Sequence, residues 1–168
     1  MKKITLLLFI LSLFSCKKEP KVIAFDNKII KDTVLNIIIR PVHPNLLEGK
    51  SDSLMAYYQK LNFHEIWYLE ENRKDLINEI KSCFEDGLNP NDYEIKIIED
   101  LESKRSELND EDIVKYDILL TETFEKLANH LHKGKLNPKK LYTDWDLAAK
   151  EIALSPLLEK GIKEKKIA

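Results

Sequence analysis

One segment in the second half of the chain constrains the fold most strongly. The spacing of its apolar residues predicts a helix, and the residues after it predict where that helix ends and the next one begins. Between residues 113 and 133, apolar side chains recur at intervals of three or four, which at about 3.6 residues per turn places them along one stripe of an α-helix. The stripe consists of Ile113, Tyr116, Leu120, Phe124, Leu127 and Leu131. The opposite face carries Lys115, Glu122, Glu125, Lys126 and Asn129. The pattern predicts a surface helix that covers a core along a narrow stripe.

The signals that end one helix and begin the next occur twice. Gly134 supplies a left-handed residue just past the last turn of the long helix, and Asn137-Pro138 is a typical cap and first residue of another helix. Gly87-Leu-Asn-Pro90 has a similar pattern, a glycine followed closely by Asn-Pro, after an earlier helical segment. A tandem repeat would also explain the pair, but the sequences on either side differ. We therefore favour shared local chemistry at two separate helix ends.

Shorter helical segments account for much of the remaining chain. Their predicted starts are Ser51, Asn72, Asn89-Pro90 and Ser155-Pro156. Residues 22–25 and 34–39 are β-branched runs that suit short strands, although the second also suits a buried helical turn. The segment from Asn62 to Trp67 reads as extended chain. We predict a mainly α, compact helical domain with one or two short strands near the N-terminus.

The first residues have the composition of an export signal. A short basic start is followed by an apolar run from Ile4 to Phe14, which is about half the roughly 20 residues that span a bilayer. The sequence therefore predicts a signal peptide over residues 1–15 in preference to a permanent transmembrane helix. Residues 16–21 are then a short charged tether that precedes the folded domain.

Cys16 stands where the apolar run stops. Leu13-Phe14-Ser15-Cys16 resembles a bacterial lipobox, in which the cysteine is acylated and becomes the first residue of the mature protein. Ordinary cleavage nearby would instead leave Cys16 an incidental cysteine. We predict lipidation at Cys16, and hence an exported protein held by its lipid at a cell-envelope membrane.

Composition excludes several classes of partner and scaffold. Removing Lys2 and Lys3 with the signal changes 27 basic and 29 acidic residues to 25 and 29, a net charge of about −4 with neutral histidines. No basic patch survives, so we expect no nucleic-acid partner. With Cys16 lipidated, Cys83 is the one thiol left, which excludes a disulfide framework. The fold must depend on its packing.

Four segments resemble, in order and spacing, the N-terminal scaffold domain of bacterial murein L,D-transpeptidases. They are Asp86–Tyr93, Leu119–Phe124, His130–Pro138 and Asp144-Trp145, and Tyr57-Tyr58, Phe63 and Trp67 fall where that family has aromatic residues. Leu61 and Glu65 depart from the family, which commonly has arginine and proline there, so a salt bridge made by that arginine must be missing. The resemblance implies a scaffold-like helical domain over residues 22–168 that is incomplete at its C-terminus.

The resemblance also implies a role in peptidoglycan cross-linking. Full-length relatives resemble cysteine transpeptidases that join two meso-diaminopimelate residues through an acyl-enzyme, on the cysteine of a His-x-x-x-Ser-x-Gly-Cys pattern. That pattern is absent here, and Cys83 lies on an apolar helix face without a glycine-rich turn, which indicates a structural thiol. We therefore expect a non-catalytic scaffold domain of an L,D-transpeptidase-like lipoprotein, with no catalytic residue and no cofactor. Its expected partners are membrane lipid, and peptidoglycan or a separate catalytic domain.

A stand-alone module that binds peptidoglycan or another partner is the alternative interpretation. An exposed groove lined by Tyr57, Tyr58, Trp67 and Trp145 would suit flat sugar rings, whereas core packing is the commoner use of such aromatic side chains. The two interpretations differ in whether these rings face solvent.

Geometry restricts the other candidate chemistry. At about 1.5 Å per residue, Asp117 and His132 lie roughly 22 Å apart along the long helix and cannot share a substrate atom. His130 and His132 face nearly opposite ways, so we expect no metal site. Asp117 and Thr121 are one turn apart, for which a structural hydrogen bond is the default interpretation. The remaining carboxylates are scattered, as expected of a solvated surface.

Overall fold

The computed structural model describes residues 25, 27–33, 37–142, 144, 153–164 and 167. Within these residues the fold is mainly α, as the sequence predicts. The helices are α1 (Asp52–Lys60), α2 (Glu70–Ser82), α3 (Ile95–Ser103), α4 (Asp110–Lys133), α5 (Pro138–Leu141) and α6 (Leu154–Glu164). Short 3-10 turns connect them at Pro44–Leu47, Cys83–Asp86, Pro90–Tyr93 and Arg105–Glu107.

A short antiparallel hairpin near the N-terminus confirms the predicted strand content. Its strands are β1 (Ile30–Asp32) and β2 (Ile37–Ile39), with Ile30 opposite Ile39. The second strand lies in the run predicted over residues 34–39. The first was not predicted, because its three residues are partly polar and carry no alternation. The other predicted strand lies almost wholly outside the described residues.

Chain just after β2 pairs with the extended segment that follows α1. The Val42 amide donates to the Phe63 carbonyl at 2.7 Å, and the Glu65 amide donates to the Arg40 carbonyl at 2.9 Å. Pro41 and His64 form the bridge between these two stretches. The extended conformation predicted for residues 62–67 is wrong for Asn62 and Phe63, which have positive φ angles, and is confirmed from His64 onward. Backbone hydrogen bonds attach this segment to the N-terminal part of the domain.

Helix α4 is buried more widely than its sequence stripe predicts. It packs against α2 and α3, and five of the six stripe residues lie in the interior, as expected. Leu131 is 42 % exposed, because it lies in the last turn, beyond most of the packing partners. Val114, Asp117, Ile118, Thr121 and Thr123 are also buried. The description of a surface helix with a narrow buried stripe is therefore wrong, and α4 is the central helix of the domain.

The predicted helix ends agree closely with the structure. The Ser51 hydroxyl accepts from the Leu54 amide at 3.1 Å and caps α1. Gly87 has φ 77° and ψ 14°, and the Leu88 amide donates to the Cys83 carbonyl at 3.0 Å, which closes the end of the α2 segment in the expected left-handed form. Helix α5 begins at Pro138, as predicted.

Three helix starts and the conformation of one glycine differ from the predictions. Helix α4 begins at Asp110, before the predicted residue 113, and α6 begins at Leu154, before the predicted Ser155. Helix α2 begins at Glu70, two residues before the predicted start, and Asn72 is fully buried within its first turn. Gly134 has φ 80° but ψ 154°, so it takes an extended positive-φ conformation and not the left-handed helical one. Both conformations are open to glycine and strained for other residues, which is why the glycine signal still marks the end correctly.

Candidate functional site

Three of the four aromatic residues predicted as a possible groove lie in the interior. Tyr58 is 0 % exposed, Trp67 is 1 % exposed and Tyr57 is 3 % exposed. An exposed groove that includes the Tyr58 and Trp67 rings is therefore wrong, because both rings pack in the core and direct their polar atoms toward α4. Tyr57 instead lines a pocket, described below. Trp145 and the predicted lipidation site Cys16 lie outside the described residues.

Asp117 of α4 is the centre of a buried hydrogen-bond network. One carboxylate oxygen, Oδ1, accepts from the backbone amides of Ile66 at 2.9 Å and Trp67 at 2.7 Å. The other, Oδ2, accepts from the Tyr58 hydroxyl at 2.6 Å. The Asp117 side chain thereby joins α4 both to α1 and to the extended segment between α1 and α2.

Thr121, one turn further along α4, completes this network. Its hydroxyl donates to the Asp117 carbonyl at 3.0 Å, accepts from the Trp67 indole nitrogen Nε1 at 2.9 Å and lies 3.1 Å from the Tyr58 hydroxyl. The structural contact expected of Asp117 and Thr121 is confirmed. Because each polar atom here has a partner, the network stabilises one arrangement of α1, α4 and the segment between α1 and α2.

The environment of the Asp117 carboxyl shifts its pKa. Burial raises the pKa from 3.8 to about 7, with a smaller upward contribution from the charge of Glu65. The hydrogen bonds from Tyr58, Trp67 and Ile66 oppose this shift, because they favour the ionised carboxylate. Burial has the larger effect, so the folded protein binds a proton at Asp117 more tightly than the unfolded chain does.

Glu65 is the second buried carboxylate, and its side chain is only 1 % exposed. Its Oε2 atom accepts from the Arg40 amide at 2.8 Å and from the Arg40 guanidinium at 3.3 Å, while Oε1 accepts from Arg105 at 3.2 Å. Arg40 also pairs with Asp110 at the start of α4. Proline is common in the family at position 65, and here a buried glutamate held by two arginines occupies it. The expectation that the remaining carboxylates lie on a solvated surface is therefore wrong for Glu65.

Arg73 fixes the end of the same extended segment. One guanidinium nitrogen donates to the carbonyls of Trp67 at 2.8 Å and Tyr68 at 3.1 Å. The others form a two-point pair with Glu102 of α3, at 2.8 and 3.1 Å, and Glu102 also accepts from the Tyr116 hydroxyl at 3.0 Å. The amides of residues 66 and 67 are thus held by Asp117, and the carbonyls of residues 67 and 68 are held by Arg73.

Sequence reasoning missed this ionic arrangement, although the composition contains a signal for it. The chain has only three arginines, Arg40, Arg73 and Arg105, against many lysines, and all three bind Glu65 or Glu102. Arginine is preferred over lysine where an ion pair is buried and the geometry requires several fixed donors. A rare arginine in a lysine-rich chain is therefore a candidate for a structural ion pair.

Cys83 has the environment expected of a structural thiol. It is 1 % exposed and belongs to the hydrophobic core at the end of α2. Burial, with smaller contributions from Asp86, Asp92 and Glu79, raises the pKa of its thiol. A raised pKa leaves less thiolate, which is the opposite of what a cysteine nucleophile needs.

The two regions that run from a glycine to Asn-Pro, residues 87–90 and 134–138, meet at one end of the domain. Asp92, just after the first, pairs with Lys135, within the second, at 2.5 Å, and the Lys126 ammonium donates to the Asp92 carbonyl at 2.6 Å. The Tyr93 hydroxyl lies 2.8 Å from His130 Nδ1, and burial lowers the pKa of His130, with help from the charges of Lys126 and Lys135. These contacts assign His130 to packing between the regions.

Exposed apolar side chains continue from this end of α4. Leu131, Leu136, Leu141 and Tyr142 are 42, 70, 58 and 63 % exposed.

Within the described ranges, no group of three or more His, Cys, Asp or Glu side chains is arranged to hold a metal ion. No helix among the same residues is both long and apolar enough to span a membrane.

A pocket of about 480 Å³ lies where the hairpin, the end of α1, the extended segment and α6 meet. Its walls include Ile30, Ile39, Tyr57, Ile66 and Ile162. The pocket is separate from the Asp117 network, whose polar atoms are turned inward.

Comparison with known proteins agrees with this arrangement. A family model described as "Scaffold domain" matches residues 52–168, which is well over half of the chain and includes α1 to α6 and the Asp117 network. No curated protein and no solved structure matches the chain. The chain belongs to the Scaffold domain family, consistent with the scaffold domain of L,D-transpeptidases that its motifs resemble.

Proposed function

We propose that this chain is a non-catalytic scaffold domain of an L,D-transpeptidase-like lipoprotein, and that it supports peptidoglycan cross-linking carried out by a catalytic domain. The observation that carries the proposal is the family match over residues 52–168, which covers the motifs that resemble the transpeptidase scaffold. The proposed role is to present a fixed surface to the enzyme. The bond-forming chemistry belongs to the catalytic partner.

The use of the buried polar groups supports a scaffold role. Asp117 and Glu65 are occupied by backbone amides and arginines, and Cys83 is enclosed by the core with a raised pKa. A nucleophile or general base must reach a substrate atom within hydrogen-bond distance. The two carboxylates instead bind backbone amides and arginine side chains, and the thiol packs in the core, so these groups contribute rigidity.

Deleting the gene in its native host tests the proposal. We expect muropeptide analysis by mass spectrometry to show a smaller share of cross-links between two meso-diaminopimelate residues. A Cys83→Ser copy should restore that share, because the thiol only packs. An Asp117→Ala copy should not, because it lacks the central network. An unchanged share after deletion, or failure of Cys83→Ser at normal protein level, would contradict the proposal.

Anchoring through Cys16 is part of the proposed function. A charged tether over residues 16–21 would let the domain work close to a membrane surface. We expect Cys16→Ser to move the protein from the membrane fraction to the soluble envelope fraction, with Cys83→Ser as the matched control that stays in the membrane. Identical fractionation of the Cys16→Ser and wild-type proteins would exclude the lipid anchor.

A stand-alone binding module is the second candidate function. Exposed apolar residues on either side of α5 favour it: Leu136, between α4 and α5, is 70 % exposed, and Tyr142, just after α5, is 63 % exposed. Retention on purified sacculi tests this candidate. It predicts that Leu136→Ser reduces retention while Leu157→Ser, on α6, does not. The absence of retention, or equal retention of both variants, would contradict it.

A further inference from the structure

The pocket beside α6 has an apolar interior. Its lining includes five aliphatic residues, Ile30 and Ile39 from the hairpin, Leu61 at the end of α1, Ile66 from the extended segment, and Ile162 from α6. Its volume of about 480 Å³ falls within the range of roughly 300–1,000 Å³ typical of small-molecule sites. Walls of this kind favour the hydrocarbon part of a ligand, because burying it removes apolar surface from water.

The shape of one wall is fixed by unusual backbone geometry. Asn62, in the lining, and its neighbour Phe63 have φ angles of 53° and 55°, which are uncommon for residues other than glycine. Such conformations persist where the surroundings hold them. Here the Phe63 amide donates to the Tyr58 carbonyl at 2.8 Å, and the Phe63 carbonyl accepts from Val42 at 2.7 Å. The wall is therefore formed before any ligand arrives.

The Tyr57 side chain brings a polar group to this apolar pocket. Tyr57 is 3 % exposed, and no hydrogen bond to its hydroxyl is found within the described part of the chain. Burial, and to a smaller extent the charge of Glu159, raises its pKa, so the hydroxyl remains a donor at neutral pH. The hydroxyl is not among the buried polar atoms left without a partner, so it is open to the pocket, where a ligand acceptor would replace water.

Charge at the pocket rim is positive. Glu159 pairs with Lys60 and is also within reach of the Ser155 hydroxyl, which satisfies its carboxylate. Lys163, one turn further along α6, lines the pocket, and among the described residues no salt bridge to its ammonium is found. Glu65 also lines the pocket, and its carboxylate is paired with Arg40 and Arg105. With Glu65 and Glu159 both paired with basic side chains, Lys163 leaves a net positive charge at the rim.

From this arrangement we propose that the pocket binds a small amphiphile with a hydrocarbon chain and a terminal carboxylate. The chain lies among Ile39, Leu61, Ile66 and Ile162, and the carboxylate accepts from the Tyr57 hydroxyl and pairs with Lys163. The inference does not depend on the proposed scaffold function, because it uses only the lining of this pocket.

Titration of the mature chain with decanoate, below its micelle-forming concentration, tests the site by calorimetry and amide NMR. We expect saturable one-to-one binding, with shift changes concentrated at residues 61–66 and 159–163. Lys163→Gln should weaken binding about tenfold, because a charge-assisted contact is lost. Tyr57→Phe, which keeps the ring, should weaken it about fivefold through loss of one hydrogen bond.

Two matched controls define the result that would overturn the proposal. Lys160→Gln removes a lysine from the same helix outside this pocket and should leave the affinity unchanged. Decanol has a similar chain without the charge and should bind about tenfold more weakly. The absence of saturable binding, equal effects of Lys160→Gln and Lys163→Gln, or equal affinity for decanol would each refute the site. Refutation would leave the muropeptide test unaffected.

Discussion

At the scale of the residue, Asp117 concentrates the polar chemistry of the core. Its two carboxylate oxygens accept hydrogen bonds from two backbone amides and from the Tyr58 hydroxyl. These three buried donors are therefore satisfied without water. Leaving such donors unpaired in a buried site costs more than a hydrogen bond gains, since desolvation is then uncompensated. Asp117 therefore stabilises the extended segment after α1 mainly by satisfying its backbone.

Replacing Asp117 tests this role directly. We expect Asp117→Ala to lower the free energy of unfolding by about 3 kcal/mol, because it leaves buried donors without an acceptor. Asp117→Asn, which keeps one acceptor oxygen, should cost about half as much, and the exposed Glu85→Ala should change stability by less than about 0.5 kcal/mol. Urea unfolding followed by circular dichroism measures all three. Equal losses for the Ala and Asn variants would contradict the hydrogen-bond explanation.

The raised pKa of Asp117 predicts a pH dependence of known sign. Between its unfolded value near 3.8 and its folded value of about 7, the folded state holds a proton that the unfolded state has released. The contribution of Asp117 to stability therefore falls as pH rises through this window. Other carboxylates titrate as well, so the quantity to measure is the stability of wild type minus that of Asp117→Asn. We expect this difference to decrease from pH 4 to pH 7, and a constant or increasing difference would refute the shift.

At this scale the sequence predicts contacts between residues that are close in the chain, but not contacts between distant ones. The one-turn spacing of Asp117 and Thr121 was enough to predict a structural contact between them. Their partners Tyr58 and Trp67 are more than 50 positions away in the chain, so no local spacing reports them. Glu65 was missed for the same reason, because its arginine partners lie 25 and 40 positions away.

At the scale of the element, the segment between α1 and α2 is held by side chains from its neighbours. Asp117 of α4 binds its amides, Arg73 of α2 binds its carbonyls, and Glu65 connects it to Arg40 and Arg105. An extended segment without a full sheet around it cannot satisfy its own backbone groups. The polar side chains of the helices take the place of the missing strands.

Arg73 and its neighbour Lys74 provide a matched test of this arrangement. We expect Arg73→Ala to lower the free energy of unfolding by about 3 kcal/mol, because Glu102 and two backbone carbonyls lose a buried partner. Arg73→Lys should recover less than half of the loss, since an ammonium cannot reproduce the fork of donors. Lys74→Ala removes only an exposed pair with Glu70 and should leave the free energy of unfolding close to that of the wild type. Similar effects of Arg73→Ala and Lys74→Ala in urea unfolding would show that the Arg73 hydrogen bonds contribute little to stability.

Helix ends were predictable because their signals are local. Ser51, Gly87 and Asn89-Pro90 act within a few residues of where they stand, and each lies at the boundary expected of it. The wide burial of α4 was not predictable from its apolar stripe, because Asp117, Thr121 and Thr123 are polar residues on buried faces. Partners supplied by other elements make that burial possible.

At the scale of the whole molecule, the mainly α architecture and the family followed from the sequence, whereas the role of the aromatic residues needed the fold. The four motif segments have a characteristic order, which the family match over residues 52–168 supports. For Tyr57, Tyr58 and Trp67 the sequence favours core packing but leaves a groove open until their burial is known. Burial then assigns Tyr58 and Trp67 to the core and leaves Tyr57 at the pocket.

The central claim is that this chain is a scaffold without catalytic chemistry of its own. Incubating the purified mature chain with disaccharide tetrapeptides, and analysing the products by mass spectrometry, tests it most directly. We predict no cross-linked dimer above the protein-free control, in a preparation whose circular dichroism shows folded helix. A dimer that forms with this chain and disappears with Cys83→Ser would contradict the claim.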